Sequence, residues 1–131
     1  MTFRSREYAM ASELRQIVLS DEEFTSSLNS FRRTHVDFLP TGEIVKWEAG
    51  DNGTLDVTVN IKGGSTINKM TFTVEQQDVI DILVRFCMEN NIPVPRAGDK
   101  TWRSCDKGIT LSIALLGSEL ERANIDLAAL A

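Results

Sequence analysis

Leu55, Val57, Val59 and Ile61 place an apolar residue at every second position. A period of two suits a β-strand with one buried face and does not suit a helix. Val45, Trp47 and Ala49 alternate in the same way, and Gly50-Asp51-Asn52-Gly53 between the two runs supplies the turn of a hairpin. Lys62-Gly63-Gly64-Ser65 turns the chain again into Met70, Phe72 and Val74. Three strands joined by tight turns predict an antiparallel meander with one apolar face.

On either side of the meander the period becomes helical. From about Ser5 to Leu19, the residues Met10, Ala11, Leu14, Ile17 and Val18 fall on one side at helical spacing and predict an amphipathic first helix. Ser20-Asp21-Glu22-Glu23 reads as a capping box that opens a second helix, with Leu19 and Phe24 in hydrophobic-staple positions. Its stripe of Phe24, Leu28 and Phe31 ends at Arg32-Arg33, two cations suited to the negative end of a helix dipole. Pro40-Thr41-Gly42 marks the change from helix to sheet.

Thr73 and Gln76 read as a second capping box and predict a third helix to about Asn90. Its apolar residues from Val79 to Met88 cover an arc of roughly 240°, where a surface helix needs little more than about 100°. Ile92-Pro93-Val94-Pro95 then runs extended, because each proline restricts the residue before it. Thr101 to Cys105 and Ile109 to Leu115 flank Asp106-Lys107-Gly108 as a second hairpin. Ser118 and Glu121 are placed to cap a short final helix, or a frayed tail, over 118–131.

The expected architecture is a single α+β domain over 1–131, with a helical N-terminal part at 1–39 and a ββ-β-α-ββ core at 43–115. It has an antiparallel sheet of about five strands, meander plus C-terminal hairpin, a central helix across one face and two N-terminal helices. Leu55, Val57, Val59, Ile61, Phe72, Ile80, Leu83, Leu111 and Ile113 are its expected core.

A chain of 131 residues buries enough surface to fold without disulfides. The two cysteines are accordingly read as reduced thiols. A net charge of -5 argues against a general phosphate-backbone binder. The apolar cluster from Val79 to Val84 is interrupted by Asp81 and is far shorter than a bilayer span, and Glu7 and Glu13 break up the N-terminus where a signal core would lie. The expectation is a cytoplasmic protein without a membrane partner.

No motif points to catalysis. Cys87 falls on the apolar side of its helix, where a thiol is inert. Cys105 lies near Arg103 and Lys107, which lower a thiol pKa if they converge, yet its place in a strand favours packing. His35 is the only imidazole, and its spacing from either cysteine gives no geometric support for a dyad. Two cysteines and one histidine without close pairing are too few for zinc. Asp51-Asn52-Gly53 is too short for an EF-hand loop, and Gly98-Asp99-Lys100-Thr101 lacks the upstream glycine and following helix of a P-loop. Carboxylates at Asp21, Glu22, Glu23, Glu75 and Asp78 fall in first turns of helices, where capping accounts for them. No catalytic, metal or cofactor-binding residues are assigned, and no cofactor is expected.

Three functions compete. The first is a protein-interaction or regulatory module without catalytic activity, with a homodimer suggested by the wide apolar arc of the third helix. Its partner-binding residues are Arg96, Lys100, Trp102, Arg103 and Lys107, four cations and an aromatic anchor behind stiff prolines, suited to an acidic protein partner. The competing reading makes that segment a plain connector, with Trp102 packed into the core. The second function is a small-molecule binder or enzyme with a pocket between sheet and helices, whose sign would be His35 in a cleft beside a carboxylate or thiol. The third is weak nucleic-acid binding through the same 96–107 segment, with Trp102 stacking on a base.

Overall fold

A computed structural model describes residues 12–115. Two helices and six strands follow one another as β1 (Glu13–Ser20), α1 (Asp21–Thr34), β2 (Glu43–Ala49), β3 (Leu55–Gly63), β4 (Thr66–Val74), α2 (Gln76–Glu89), β5 (Asp99–Cys105) and β6 (Gly108–Leu115). The strands form two separate antiparallel sheets of three, in the orders β1-β6-β5 and β2-β3-β4.

This corrects the expected single sheet of about five strands. The meander and the C-terminal hairpin both exist, but they do not share a ladder. Alternation specifies which face of a strand is buried and leaves open which edge it pairs with. β6 pairs on its free side with β1, from Glu13↔Leu115 to Ser20↔Gly108. Between the sheets, Trp102 Nε1 on β5 donates to the carbonyl of Gly53, in the turn between β2 and β3, at 3.0 Å.

The first helix is likewise replaced, over 13–20, by strand β1. The helical reading grouped Leu14, Ile17 and Val18 on one side; the strand separates them. Arg15, Ile17 and Leu19 face inward, whereas Leu14 and Val18 stand exposed on the other face. A short apolar run with β-branched residues fits either period, and here the unpaired side of β6 decides in favour of the strand. Residues 5–11 of the expected first helix, and the expected final helix at 118–131, lie outside the described residues.

At the start of α1 the capping box is complete. The Glu23 amide donates to Ser20 Oγ at 3.1 Å, and Glu23 Oε1 accepts from the Ser20 amide at 2.9 Å. The second expected box, Thr73 with Gln76, does not form: α2 starts one residue past an N-cap at Glu75 that makes no side-chain cap bond. Thr73 is still in β4, where its hydroxyl donates to Asp56 Oδ1 on β3 at 3.2 Å. The cross-strand carboxylate has taken the group that the helix would have used.

One core joins both sheets and both helices. Phe24, Leu28 and Phe31 of α1 are buried in it, and Phe24 meets Trp47 of β2 edge-on at 4.9 Å between ring centroids. Leu55, Val57, Val59, Ile80, Leu83, Leu111 and Ile113 are buried as expected, while Ile61 and Phe72 are half-buried. The wide arc of α2 is mostly enclosed by its own chain: Val79, Ile80, Ile82, Leu83 and Cys87 are buried, Val84 and Phe86 half-buried, and Met88 is 71% exposed. An arc this wide is what a helix needs when it is covered from several directions. It therefore gives no reason for a dimer formed through this helix.

Candidate interaction site

Strand geometry divides the basic segment. In β5, successive side chains point to opposite faces, so Trp102 turns inward and Arg103 outward. Trp102 is half-buried, packs against the core and spends its only donor on Gly53. Lys100 is also half-buried and donates to the Arg96 carbonyl at 3.3 Å. Arg96 and Lys107 are exposed, the first before β5 and the second in the turn after it. Trp102 is thus not an exposed anchor among the cations. Trp102 takes the core-packed place of the competing reading.

The two thiols differ in the way their neighbours require. Cys87 is fully buried, and burial pushes its pKa up. Cys105 is exposed at the end of β5, which corrects the expectation that it packs. Its thiol lies 3.5 Å from Thr110 Oγ1. The Thr110 hydroxyl first, and then the Lys107 amide, hold its pKa below the ordinary thiol value. It lines an open cleft of about 420 Å³ between the start of α1, β2 and the β5–β6 turn, with Asp21, Thr25, Lys46 and Trp47.

No imidazole reaches that cleft. His35 caps the C-terminus of α1, with its ring stacked on Phe31 at 3.8 Å and its Nδ1 near the Phe31 carbonyl and the Thr34 hydroxyl. Cys105 consequently has the character of an accessible thiol, without the base that activates a nucleophile in acyl transfer. Among the described residues no group of three or more His, Cys, Asp or Glu side chains is placed to hold a metal ion. Among them, too, no helix is long and apolar enough to cross a membrane.

The sheet edges carry a more specific signal, and the sequence reading did not weigh them. An edge strand presents a row of unpaired backbone donors and acceptors, and proteins guard such edges with bulges, charges, proline or short length. β2 carries a bulge between Ile44 and Lys46, together with Glu43, Lys46 and Glu48. β5 carries Asp99, Lys100 and Arg103, and runs beside β2. β1 turns Arg15 inward, where its guanidinium donates to the Pro93 carbonyl at 2.5 Å. β4 differs from all three. It is nine residues long, holds Lys69 as its single charge, and has no proline and no register shift against β3.

The geometry of β4 also determines which of its backbone groups have no partner among the described strands. Gly64 and Ser65 form a two-residue turn between the paired residues Gly63 and Thr66, which makes that pair hydrogen-bonded. Bonded and non-bonded pairs then alternate up the ladder. Thr66, Asn68, Met70, Phe72 and Val74 therefore direct their N–H and C=O groups at β3, and Ile67, Lys69, Thr71 and Thr73 direct theirs away from it. The 3.1 Å approach of the Thr58 and Thr71 hydroxyls fits this phase, since side chains come closest in non-bonded pairs. Along this edge Ile67 is 60% and Met70 49% exposed, and residues 66–71 are exposed throughout.

The signal was present in the sequence as Thr66 to Val74, a run of β-formers with one charge and no proline. What the sequence could not give was its position at the end of a sheet. Comparison of the chain with protein-family models, with curated proteins and with solved structures finds no match.

Proposed function

We propose that this chain is a protein-interaction module that binds an extended segment of its partner by strand addition at the β4 edge. The observation that carries the reading is the contrast among the four edges of the described sheets: β1, β2 and β5 carry an inward arginine, a bulge or several charges, and β4 is the least guarded, with one lysine over nine residues. The outward N–H and C=O groups of Ile67, Lys69, Thr71 and Thr73 supply the ladder. The exposed Ile67 and Met70 side chains, on opposite faces of the strand, supply selectivity.

The competing functions have less support. A pocket enzyme needs His35 beside a carboxylate or thiol, and its described partners are Phe31 and Thr34. An acidic protein or a nucleic acid at 96–107 needs the four cations grouped around an exposed Trp102, whose ring is instead packed against the core.

Peptides selected from a random library against the full chain test the proposal. Lys69→Pro removes one outward donor and leaves the bonds to β3 in place, a substitution an edge strand tolerates. Selected peptides should bind the parent and Lys69→Ala alike and lose at least about tenfold in affinity, roughly one good hydrogen bond, for Lys69→Pro. Peptides that ignore Lys69→Pro and fail on Arg96→Ala/Arg103→Ala would move the site to the basic segment.

A further inference from the structure

We infer that the strand this edge accepts is the β4 strand of a second copy of the same chain, giving a two-fold dimer with a continuous six-stranded sheet. The inference rests on the reading of β4 as the binding edge, and it adds the identity of the occupant.

Antiparallel pairing is self-complementary, so it satisfies a two-fold axis without a second, matching surface elsewhere on the molecule. The phase of the ladder restricts the register. Outward-directed residues must pair with outward-directed residues, so only registers two residues apart are allowed. Centred on Lys69, the two ammonium groups stand directly opposite each other, which is destabilising. Centred on Thr71, the overlap shortens and Ile67 is left outside it.

Centred on Met70, all nine residues of β4 are paired. Ile67 then meets Thr73 of the other copy and Lys69 meets Thr71, each pair formed twice, for about eight inter-chain hydrogen bonds. No charge faces a like charge across this register. The two Met70 side chains meet on the axis in a non-bonded pair, where side chains approach most closely, and their present 49% exposure is covered. Phe72 meets Asn68 and Val74 meets Thr66 on the same face.

The register has a consequence that a looser association would lack. Cα atoms in a non-bonded antiparallel pair are about 4.5 Å apart, within the range a disulfide spans. In a Cys105→Ser background, with Cys87 buried, Met70→Cys should cross-link the two copies under mild oxidation, and Ile67→Cys should not. Sedimentation of the full-length parent should show mass rising from one copy to two as concentration is raised to about 100 µM, well above an ordinary micromolar dissociation constant. Lys69→Pro should remain at one copy throughout.

A parent that stays at one copy, while library peptides still bind it and lose binding to Lys69→Pro, would overturn the second copy as occupant and leave the edge reading standing. One copy together with peptides that are indifferent to Lys69→Pro would overturn both. A dimer that persists in Lys69→Pro, or that cross-links through Ile67→Cys and not Met70→Cys, would overturn the inference by placing the contact on another surface or in another register.

Discussion

At Gly108 the backbone at the end of β1 lies directly against β6. A Cβ at that position would overlap the Leu19 carbonyl oxygen and stand 2.9 Å from the Ser20 carbonyl carbon, and φ there is +144°. Gly108→Ala therefore carries two costs. Strain from a conformation that side chains rarely adopt is about 1–3 kcal/mol, and forcing the end of β1 outward is overpacking of about 1–3 kcal/mol. The gain from a less flexible unfolded chain, about 0.4–1 kcal/mol, offsets a part. The expected loss is about 2–5 kcal/mol, or about 1–2 M in the urea midpoint for a chain of this size.

Two neighbouring glycines act as controls. Gly64 has φ +68° with no atom within 4 Å of a built Cβ, so Gly64→Ala carries only the left-handed cost of about 1–2 kcal/mol. Gly63 is equally open and is not in a positive-φ conformation, so Gly63→Ala should stay within about 0.5 kcal/mol of the parent. Urea unfolding of the three variants ranks them. If Gly108→Ala unfolds at the same midpoint as Gly64→Ala, no backbone lies against Gly108, and the placement of residues 13–20 as a strand on β6 is wrong.

Other consequences are independent of that strand. Leu83, fully buried in α2, should cost about 2–5 kcal/mol as Leu83→Ala, read from the unfolding midpoint. Ser20→Ala removes one half of a capping box whose bonds are both present and should cost about 0.5–2 kcal/mol. A thiol reagent should label Cys105 in the native protein and Cys87 only after unfolding. Because the Thr110 hydroxyl and the Lys107 amide lower the Cys105 pKa, its labelling rate should rise with pH earlier than that of a free thiol; a later rise, or native labelling of Cys87, contradicts these placements.

The meander, the second hairpin and the α1 capping box were legible because their determinants are local: alternation, turn residues, and a serine three residues before a glutamate. What failed was non-local. Leu14, Ile17 and Val18 satisfy both periods, and only the open side of β6, about ninety residues further on, selects between them. Thr73 and Gln76 have the spacing of a capping box, yet Asp56 across the ladder takes the threonine. The apolar arc of α2 read as surplus surface because its width alone does not tell how many elements cover it. In the basic segment, four cations lie close in sequence, and alternation along β5 puts Lys100 and Trp102 on one face and Arg103 on the other, with Trp102 packed against the core. The β4 edge stayed hidden for a related reason: alternation identifies a strand, and only the strand order shows that nothing among the described strands pairs with its outer side.

Amide hydrogen exchange along β4, with and without a peptide selected to bind the chain, tests the central claim most directly. In the free protein, diluted to where it sediments as one copy, the amides of Ile67, Lys69, Thr71 and Thr73 should exchange near open-chain rates, while those of Asn68, Met70, Phe72 and Val74, bonded to β3, exchange slowly. Saturating peptide should slow the first set to match the second. Slow exchange of the first set in the single-copy protein would mean that the edge is already covered within the chain, and fast exchange that persists with peptide bound would mean that the partner binds elsewhere; either result contradicts strand addition at β4.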